Sequence, residues 1–511
     1  MKYIYLTGLL WLLFTSCSDF LKEYSLDQAY VRGYSDLDEL LIGETYMATE
    51  YYDMNLDKVY YPYIHMMADE TQENTKSVNW QTNYSLFQKQ FFGYITWQYR
   101  IGLNPDKLTT KAEDTDWNKL YKHINTANMI LSEIDKQSAE TDEDKQAVAR
   151  IRGEAYFLRA AYYFTLVNLY GQPYQPANAA TALGVPVKTS PVIEDKMFPR
   201  ESLETVYSLI IQDLEQAATN LEGIARKSIY RTNLTAVRLL QSRVYLYMQN
   251  WAEAAKYAQL CLDLQSDLID LNTFDGSKAF AEASSPETIF SMGGNGIQAI
   301  ITTAQKGLSA SEDLKACYKE GDLRKEHFVC NNEENWSDLY WYCNKYVRKE
   351  NQYTANVSDN FLFRTAEAWL NLAEAYACMG GNNETAAREA LDHLREHRLE
   401  MNSFDATTLS GEDLIEEIRT ERRRELCFEG HRWFDLRRYT VSEKKPFTGA
   451  IRNTYTEWGD WNTPSTMYTY ELKAGDPSWT LQIPYEVIQF EELTPNPRNE
   501  RTHISINQFY L

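Results

Sequence analysis

Two segments of the chain repeat one plan, in which an apolar helix, a short polar break and a second apolar helix follow each other. "TAVRLLQSRVYLYMQNWAEAAKYAQLCLDL" breaks at "QNW", and "RTAEAWLNLAEAYACMGGNNETAAREALDHLREHR" breaks at "GGNN". Alanine recurs where the two helices would approach closely, and tyrosine and leucine recur at helical spacing. Such a helix can bury its apolar stripe only against another element, so the pattern predicts a mainly α-helical fold.

Three further segments have helical character. Trp117, Leu120, Ile124 and Ile134 share one face of an amphipathic helix. "RGEAYFLRAAYYFTLVNLYG" is apolar on most faces and stops at Gly171, and "ESLETVYSLIIQDLEQAATNL" is amphipathic. Paired helices of this kind resemble tetratricopeptide (TPR) pairs. Because their spacing is irregular, the sequence predicts a TPR-like scaffold with insertions.

The insertions are residues 69–105, 284–345 and 446–484, which show no sustained helical period and hold many aromatic and polar residues. Long irregular segments on a compact scaffold usually carry function. Tryptophan rings can pack on the C–H faces of a sugar, while Asp, Asn and Arg satisfy its hydroxyls. The candidate ligand-binding residues are Asp69, Trp80, Trp97, Arg100, Asn104, Trp336 and Trp341. Trp97 is the first choice, as an exposed platform, because no helical stripe accounts for its side chain.

The first 16 residues have the features of a removed signal. Lys2 is followed by the apolar run "YIYLTGLLWLLF", which is too short for a bilayer span, and "FTSC" places small residues directly before Cys17. This is the pattern of a bacterial lipoprotein signal. We therefore expect cleavage before Cys17, acylation of Cys17 and firm membrane anchoring by the acyl chains.

Charge and cysteine content exclude several classes of protein. The chain has 51 Lys and Arg against 73 Asp and Glu, a net charge of −22, which disfavours nucleic-acid binding. The absence of a C-x-x-C pair excludes a zinc ribbon. One disulfide among Cys317, Cys330 and Cys343 is left open. "HLREH" matches a zinc-peptidase pattern, but Glu396 falls on the solvated face of its helix, so no metal site and no cofactor are predicted.

The stretch "ERRRELCFEGHRWFDLRRY", residues 421–439, contains six arginines. It continues a helix that begins near Glu412, and Gly430 can end that helix. Glu421 precedes Arg424 by three residues and Arg422 precedes Glu425 by three, so these charges are expected to pair along the surface. Guanidinium groups suit carboxylates of the same fold, which favours a scaffold role over an anion site.

The same stretch is similar to the C-terminal signature of the SusD/RagB family of outer-membrane lipoproteins. "FTSCSDFL", "RGEAYFLRAAYYFTLVNLYGQPY", "FLFRTAEAWLNLAEAYA" and "LQIPYEVIQFEELTPNPRN" resemble other family segments, in the expected order. The resemblance implies a signal at 1–16, an N-terminal region at 17–270 and a C-terminal region at 271–511. It also places the ligand pocket between the insertions.

By that resemblance the protein is expected to be a non-catalytic lipoprotein of the outer membrane that faces outside. It would bind a nutrient, most often an oligosaccharide, and deliver it to a SusC-like TonB-dependent transporter. Three alternatives are left open: a RagB-like protein that binds peptides, a surface glycoside hydrolase with paired carboxylates, and a pure interaction scaffold.

Overall fold

The structure is a computed structural model that describes residues 31–47, 59–73, 89–106, 108, 115–297, 308–331, 341–349, 352–459 and 464–509. The α-helices in these ranges are α1 (Tyr34–Leu40), α2 (Ile64–Met67), α3 (Phe92–Ile95), α4 (Thr115–Ile134), α5 (Asp142–Tyr170), α6 (Leu203–Leu221), α7 (Leu234–Tyr247), α8 (Trp251–Leu262), α9 (Glu312–Ala316), α10 (Arg324–His327), α11 (Thr365–Met379), α12 (Asn383–Glu396), α13 (Gly411–Glu425), α14 (Arg432–Tyr439) and α15 (Tyr485–Glu491).

The long helices form a continuous stack in which chain neighbours touch. Helix α4 packs on α5, α5 on α6 and α7 on α8, and α8 then packs on α11, which contacts α12 and α13. Helix α5 begins at a capping box of Thr141 with Asp144 and ends at Gly171. The expected helices are thus confirmed, with breaks at residues 248–250 and 380–382 in the two pairs, and the fold is mainly α-helical.

Short strands connect or flank the stack. They are β1 (Thr71–Glu73), β2 (Leu183–Pro186), β3 (Arg200–Ser202), β4 (Thr288–Ser291), β5 (Leu308–Ala310), β6 (Val329–Asn331), β7 (Trp341–Cys343), β8 (Val347–Arg348), β9 (Gln352–Tyr353), β10 (Leu362–Arg364), β11 (Ala450–Trp458), β12 (Pro464–Lys473) and β13 (Ser505–Gln508). All pairings are antiparallel, and β11, β12 and β13 form the three-stranded sheet. The other strands pair two by two, and two of these five pairs, β1–β5 and β6–β7, lie within or between the insertions.

One apolar core cluster runs through the described parts of the chain, from Leu37 to Leu493. The cluster contains residues from both sides of residue 270, and α8, before that position, packs on α11, after it. The N-terminal and C-terminal regions therefore share one core. The boundary at residue 270 stays a prediction about the sequence regions. Among the described residues, no helix is both long and apolar enough to cross a membrane.

The arginine-rich stretch is buried, and the expectation that its charges pair along the surface is wrong. Arg422 and Glu425 expose 1% and 0% of their surface. Arg424 does pair with Glu421, at 2.9 Å, but Arg422 bonds Asp435 on α14 instead of Glu425. The inward-facing side chains of α13 bind partners from distant parts of the chain. A rule based on local spacing cannot predict such partners.

Glu425 is the centre of a buried group of charges that we call the Glu425 cluster. Its carboxylate accepts hydrogen bonds from Arg398 Nε at 2.9 Å, Arg364 Nη1 at 3.1 Å and Arg324 Nη1 at 3.2 Å. Further carboxylates balance the arginines: Arg364 donates to Glu287 and Glu429, and Arg324 pairs with Asp322 and Glu421. The cluster ties α13 to β10, α10 and the end of α12, which agrees with a scaffold role for the stretch.

Candidate functional site

The three insertions meet at one cleft, which we call the insertion cleft. It has a volume of about 180 Å³, and the first insertion lines it with β1 and Ile95, the second with Leu308 and the third with residues 452–454. The first two insertions are joined by the β1–β5 ladder, in which Thr71 faces Ala310 and Glu73 faces Leu308. Strand β1 also lies against β11. Segments far apart in the sequence therefore form one surface.

Hydrogen bonds to backbone groups hold the cleft in shape. Asn453 Nδ2 on β11 donates to Met66 O at 2.8 Å and to Ile95 O at 3.1 Å, so one side chain fastens β11 to both α2 and α3. Thr71 Oγ1 donates to His65 O at 2.9 Å. Because these polar groups are already paired, they position the walls and leave ligand contact to more exposed neighbours.

The cleft also receives polar side chains from the half-buried Gln72 and Glu73 and from the exposed Arg452. Glu73 is half-buried, and its carboxylate accepts from Thr456 N at 3.2 Å and Thr456 Oγ1 at 2.7 Å. The side chain of Arg452 is 65% exposed and bonds Glu471 at 2.8 Å. A carboxylate, an amide and a guanidinium offer both acceptors and donors, which suits a ligand rich in hydroxyl or amide groups.

One carboxyl group, that of Glu73, lies among the described residues that line the cleft, whereas glycoside hydrolysis uses a pair. In the described parts of the chain, no three His, Cys, Asp or Glu side chains are grouped to hold a metal ion. The chemistry on offer at the described cleft is hydrogen bonding.

Asp69, a predicted ligand contact, lies beside the cleft in the scaffold. Its carboxylate accepts from Arg432 Nε at 2.7 Å and Arg432 Nη2 at 2.9 Å, and Arg423 Nη2 lies 3.1 Å away. Burial alone would raise the pKa of Asp69, but the charges of Arg432 and Arg423 outweigh burial and lower it. Both oxygens are held by arginines, which gives Asp69 a structural role, and its contact with a ligand stays a prediction.

Trp97 is buried, and its interpretation as an exposed platform is wrong. The residue exposes 1% of its surface, and its indole N–H donates to Met67 O at 3.1 Å. Its backbone adopts φ +52°, which lets the ring turn inward after α3. The side chain thus lies between α2 and the C-terminal segment, where Arg501 is 5.9 Å from the ring centroid.

Of the remaining predicted residues, Arg100 and Asn104 have side chains within the described part of the chain. Arg100 stacks on Tyr485 of α15, 4.2 Å from the ring centroid, and Asn104 lies in the same loop, half-buried. Trp80, Trp336 and Cys17 lie outside the described residues, as does the side chain of Trp341, whose backbone opens β7. Cys317 and Cys343 are free thiols, and the side chain of Cys330 is outside the described part.

Sequence reasoning missed the residues that line the cleft. Gln72, Glu73, Leu308 and Arg452 are of ordinary type, and no motif marks them. The available signal was their place inside the three insertions, and ligand contact at any of these positions stays a prediction.

Glu70, directly before β1, is a buried carboxyl group with a raised pKa. It exposes 2% of its surface, and Oε1 has no hydrogen-bond partner. Burial raises the pKa of Glu70 to about 7, from an ordinary value of 4.5. Ser311 N donates to Glu70 O at 2.8 Å, so this carboxyl sits where the β1–β5 ladder joins the scaffold.

Stability is therefore expected to depend on the protonation of Glu70. A raised pKa in the folded state gives a contribution that is complete below the unfolded pKa near 4.5 and is lost as pH rises through about 7. In Glu70→Gln, the loss of unfolding free energy between low and high pH should be smaller than in the wild type by up to about 3 kcal/mol. The measurement is the free energy of unfolding of variant and wild type at pH 5 and pH 8. The exposed Glu312→Gln is the control, and equal pH dependence in all three proteins would contradict the assignment.

Comparison with known proteins adds family information. A model described as the SusD family matches residues 304–500, and a model described as starch-binding, associating with the outer membrane, matches residues 34–246. SusD-like protein P25 of Formosa agariphila is 22% identical over 429 residues, which covers 72% of this chain and 76% of that protein. SusD-like protein P38 of the same organism is 25% identical over 397 residues, covering 65% and 73%.

Solved structures show the same fold. A SusD superfamily protein from Bacteroides thetaiotaomicron aligns with a TM-score of 0.67 at 23% identity, over 91% of this chain and 100% of its own. A putative sugar binding protein from Bacteroides vulgatus aligns with a TM-score of 0.68 at 23% identity, over 92% and 99%. A SusD-like carbohydrate binding protein from Bacteroides vulgatus aligns with a TM-score of 0.66 at 20% identity, over 90% and 97%.

Proposed function

The chain belongs to the SusD family, and we propose that it is a surface lipoprotein of the outer membrane that binds an oligosaccharide in the insertion cleft and passes it to a TonB-dependent transporter. The observation that carries the proposal is the convergence of three distant insertions on one polar cleft. The family descriptions support starch or sugar as the ligand class and association with the outer membrane. A binding role, without catalysis, fits the single carboxyl group among the lining residues that the structure describes.

The ligand class is tested with a glycan array run beside a panel of basic and neutral peptides. We expect binding to one or a few oligosaccharides and none to peptides. Exclusive binding of peptides would show that the ligand is a peptide and not a sugar. This alternative is open because the chain is acidic and Glu73 lines the cleft. Release of shorter sugars from a bound glycan would reveal a hydrolase and contradict the proposal.

The site is tested with Arg452→Ala. The Arg452 side chain lines the cleft and is 65% exposed, so its loss should leave the fold intact. Removal of a charged hydrogen-bond donor to the ligand should weaken oligosaccharide binding about tenfold, measured by calorimetric titration.

Lys473→Ala is the matched control. Lys473 pairs with the same Glu471 at 3.5 Å and is 75% exposed, but it lies outside the cleft lining. Its loss should leave affinity unchanged. Equal weakening by both variants would point to a general charge effect, and no weakening by Arg452→Ala would remove Arg452 from the site.

The membrane anchor rests on Cys17, which follows "FTS". We propose that Cys17 is acylated after removal of residues 1–16, which would hold the protein at the outer face of the membrane. Cys17→Ala should shift the protein from the membrane fraction to the soluble fraction of its native host. Retention of the variant in the membrane fraction would contradict acylation.

A further inference from the structure

A second concave surface lies away from the insertion cleft and shares no residue with it. This groove, which we call the α4–α15 groove, has a volume of about 360 Å³, twice that of the cleft. Trp117 and Tyr121 of α4 form one wall, Phe198 another, and Val487 and Phe490 of α15 the third. Its lining is mainly aromatic and aliphatic, and the function proposed for the cleft makes no use of it.

The groove is preformed. Trp117 is 5% exposed and meets the edge of Tyr170 with ring centroids 5.0 Å apart. Tyr121 donates its hydroxyl to Pro186 O at 2.8 Å, which fixes α4 against the end of β2. The walls on the α4 side are therefore held by the core, and an occupant would meet a surface that needs little ordering.

Apolar side chains project into solvent around this groove. Phe490 is 75% exposed on the last turn of α15. The loop that leaves the groove at Lys188 and returns at Phe198 exposes Ile193 by 95% and Val192 by 62%. Projecting apolar groups beside an apolar groove are typical of protein-binding surfaces, because a monomer gains nothing from leaving them in water.

The charges around the groove indicate what kind of partner fits. Helix α15 contributes Glu486 and Glu491 to the lining, and Lys188 is the positively charged residue among the described lining residues. In a chain of net charge −22, these carboxylates disfavour a second copy of the same chain and an anionic lipid surface. They favour a partner that presents Lys or Arg beside apolar side chains.

We propose that the α4–α15 groove docks a protein partner through an apolar side chain flanked by basic residues, and that this partner is the transporter. The identity of the partner rests on the proposed function, whereas the location of the contact rests on the groove. The contact lies at the α4 end of the helical stack. Phe490 inserts between apolar side chains of the partner, and the α15 carboxylates pair with basic residues at the rim.

The test is co-purification of the transporter with full-length wild-type and variant lipoproteins from native outer membranes in mild detergent. Phe490→Asp places a charge at the centre of the contact and should reduce the recovered transporter at least tenfold. Met401→Asp is the matched control, because Met401 is 82% exposed between α12 and α13, on another part of the surface. It should recover as much transporter as the wild type.

A second variant examines the charges. Glu486→Lys with Glu491→Lys should lower transporter recovery at low salt, with a smaller difference from the wild type at high salt. Glycan affinity and melting temperature are measured for every variant and should equal those of the wild type, because none of the changed residues lines the cleft or the core.

The outcomes separate the two claims. If the wild type and Phe490→Asp retain the transporter equally, the groove proposal is overturned and the proposed function stands. If the wild type binds glycan but retains no transporter, the transporter role and the identity of the groove's partner both fail. A wild-type dimer in light scattering that Phe490→Asp dissolves, or Phe490-dependent binding of Cys17→Ala protein to phosphatidylethanolamine–phosphatidylglycerol vesicles, would also overturn the proposal by naming another occupant.

Discussion

Glu425→Gln is expected to destabilise the protein by about 3–5 kcal/mol, measured by urea unfolding at pH 7. The change keeps the shape of the side chain and removes its charge, which leaves Arg324, Arg364 and Arg398 in the core with less opposing charge. All three arginines are essentially buried, so water cannot compensate. Since a domain is typically stable by about 5–15 kcal/mol, the loss is large enough to leave part of the protein unfolded at 37 °C.

The stability of the protein at acidic pH should also depend on the charge of Glu425. Burial opposes the charged form of Glu425, but the charges of Arg398 and Arg364 outweigh burial and hold the pKa of Glu425 well below its ordinary range. A lowered pKa in the folded state gives stability that is present at neutral pH and is lost as pH falls below the ordinary range of a glutamate. The wild type should therefore lose more stability on acidification than Glu425→Gln.

Glu412→Gln provides the control on the same helix. The side chain of Glu412 is 71% exposed in the first turn of α13, and it lies 3.6 Å from Lys445. An exposed ion pair of this kind contributes about 0–1 kcal/mol, so the variant should unfold like the wild type. If Glu412→Gln and Glu425→Gln cost the same, the buried cluster does not carry the stability assigned to it.

The long helices could be predicted from the sequence because their determinants are local. Trp117, Leu120 and Ile124 recur at helical spacing, and all three are buried on α4. Gly171 ends α5 where the apolar run stops, and the breaks in the two helix pairs fall at polar residues. Periodicity and end signals act over a few residues, so a sequence alone displays them.

The buried charges could not be predicted in this way. Within the arginine-rich stretch, spacing suggested exposed pairs on one helix surface, but Glu425 binds arginines at positions 324, 364 and 398. The same limit applies to the insertion cleft, where Glu73, Leu308 and Arg452 meet from segments more than a hundred residues apart. Long-range pairing decides both sites, and no local pattern records it.

Trp97 shows how the same limit reversed an interpretation. The segment around it has no helical stripe, which suggested an exposed ring. In the structure the ring is buried: its indole N–H donates to Met67 O, thirty residues earlier, and Arg501 from the C-terminal segment lies over the ring. Lack of a local period showed only that the segment is irregular, and an irregular segment can still bury its largest side chain.

Trp97→Ala is consequently expected to cost about 3–5 kcal/mol of unfolding free energy, the usual loss for a large aromatic side chain removed from a core. The indole is 1% exposed, and its loss leaves a cavity and removes the hydrogen bond to Met67 O. Tyr99→Ala, two residues along the same loop and 39% exposed, should change stability by less than about 1 kcal/mol. Urea unfolding beside glycan titration distinguishes the two roles of Trp97. A Trp97→Ala variant that keeps its stability but loses glycan affinity would support an exposed ligand platform and contradict the burial of Trp97.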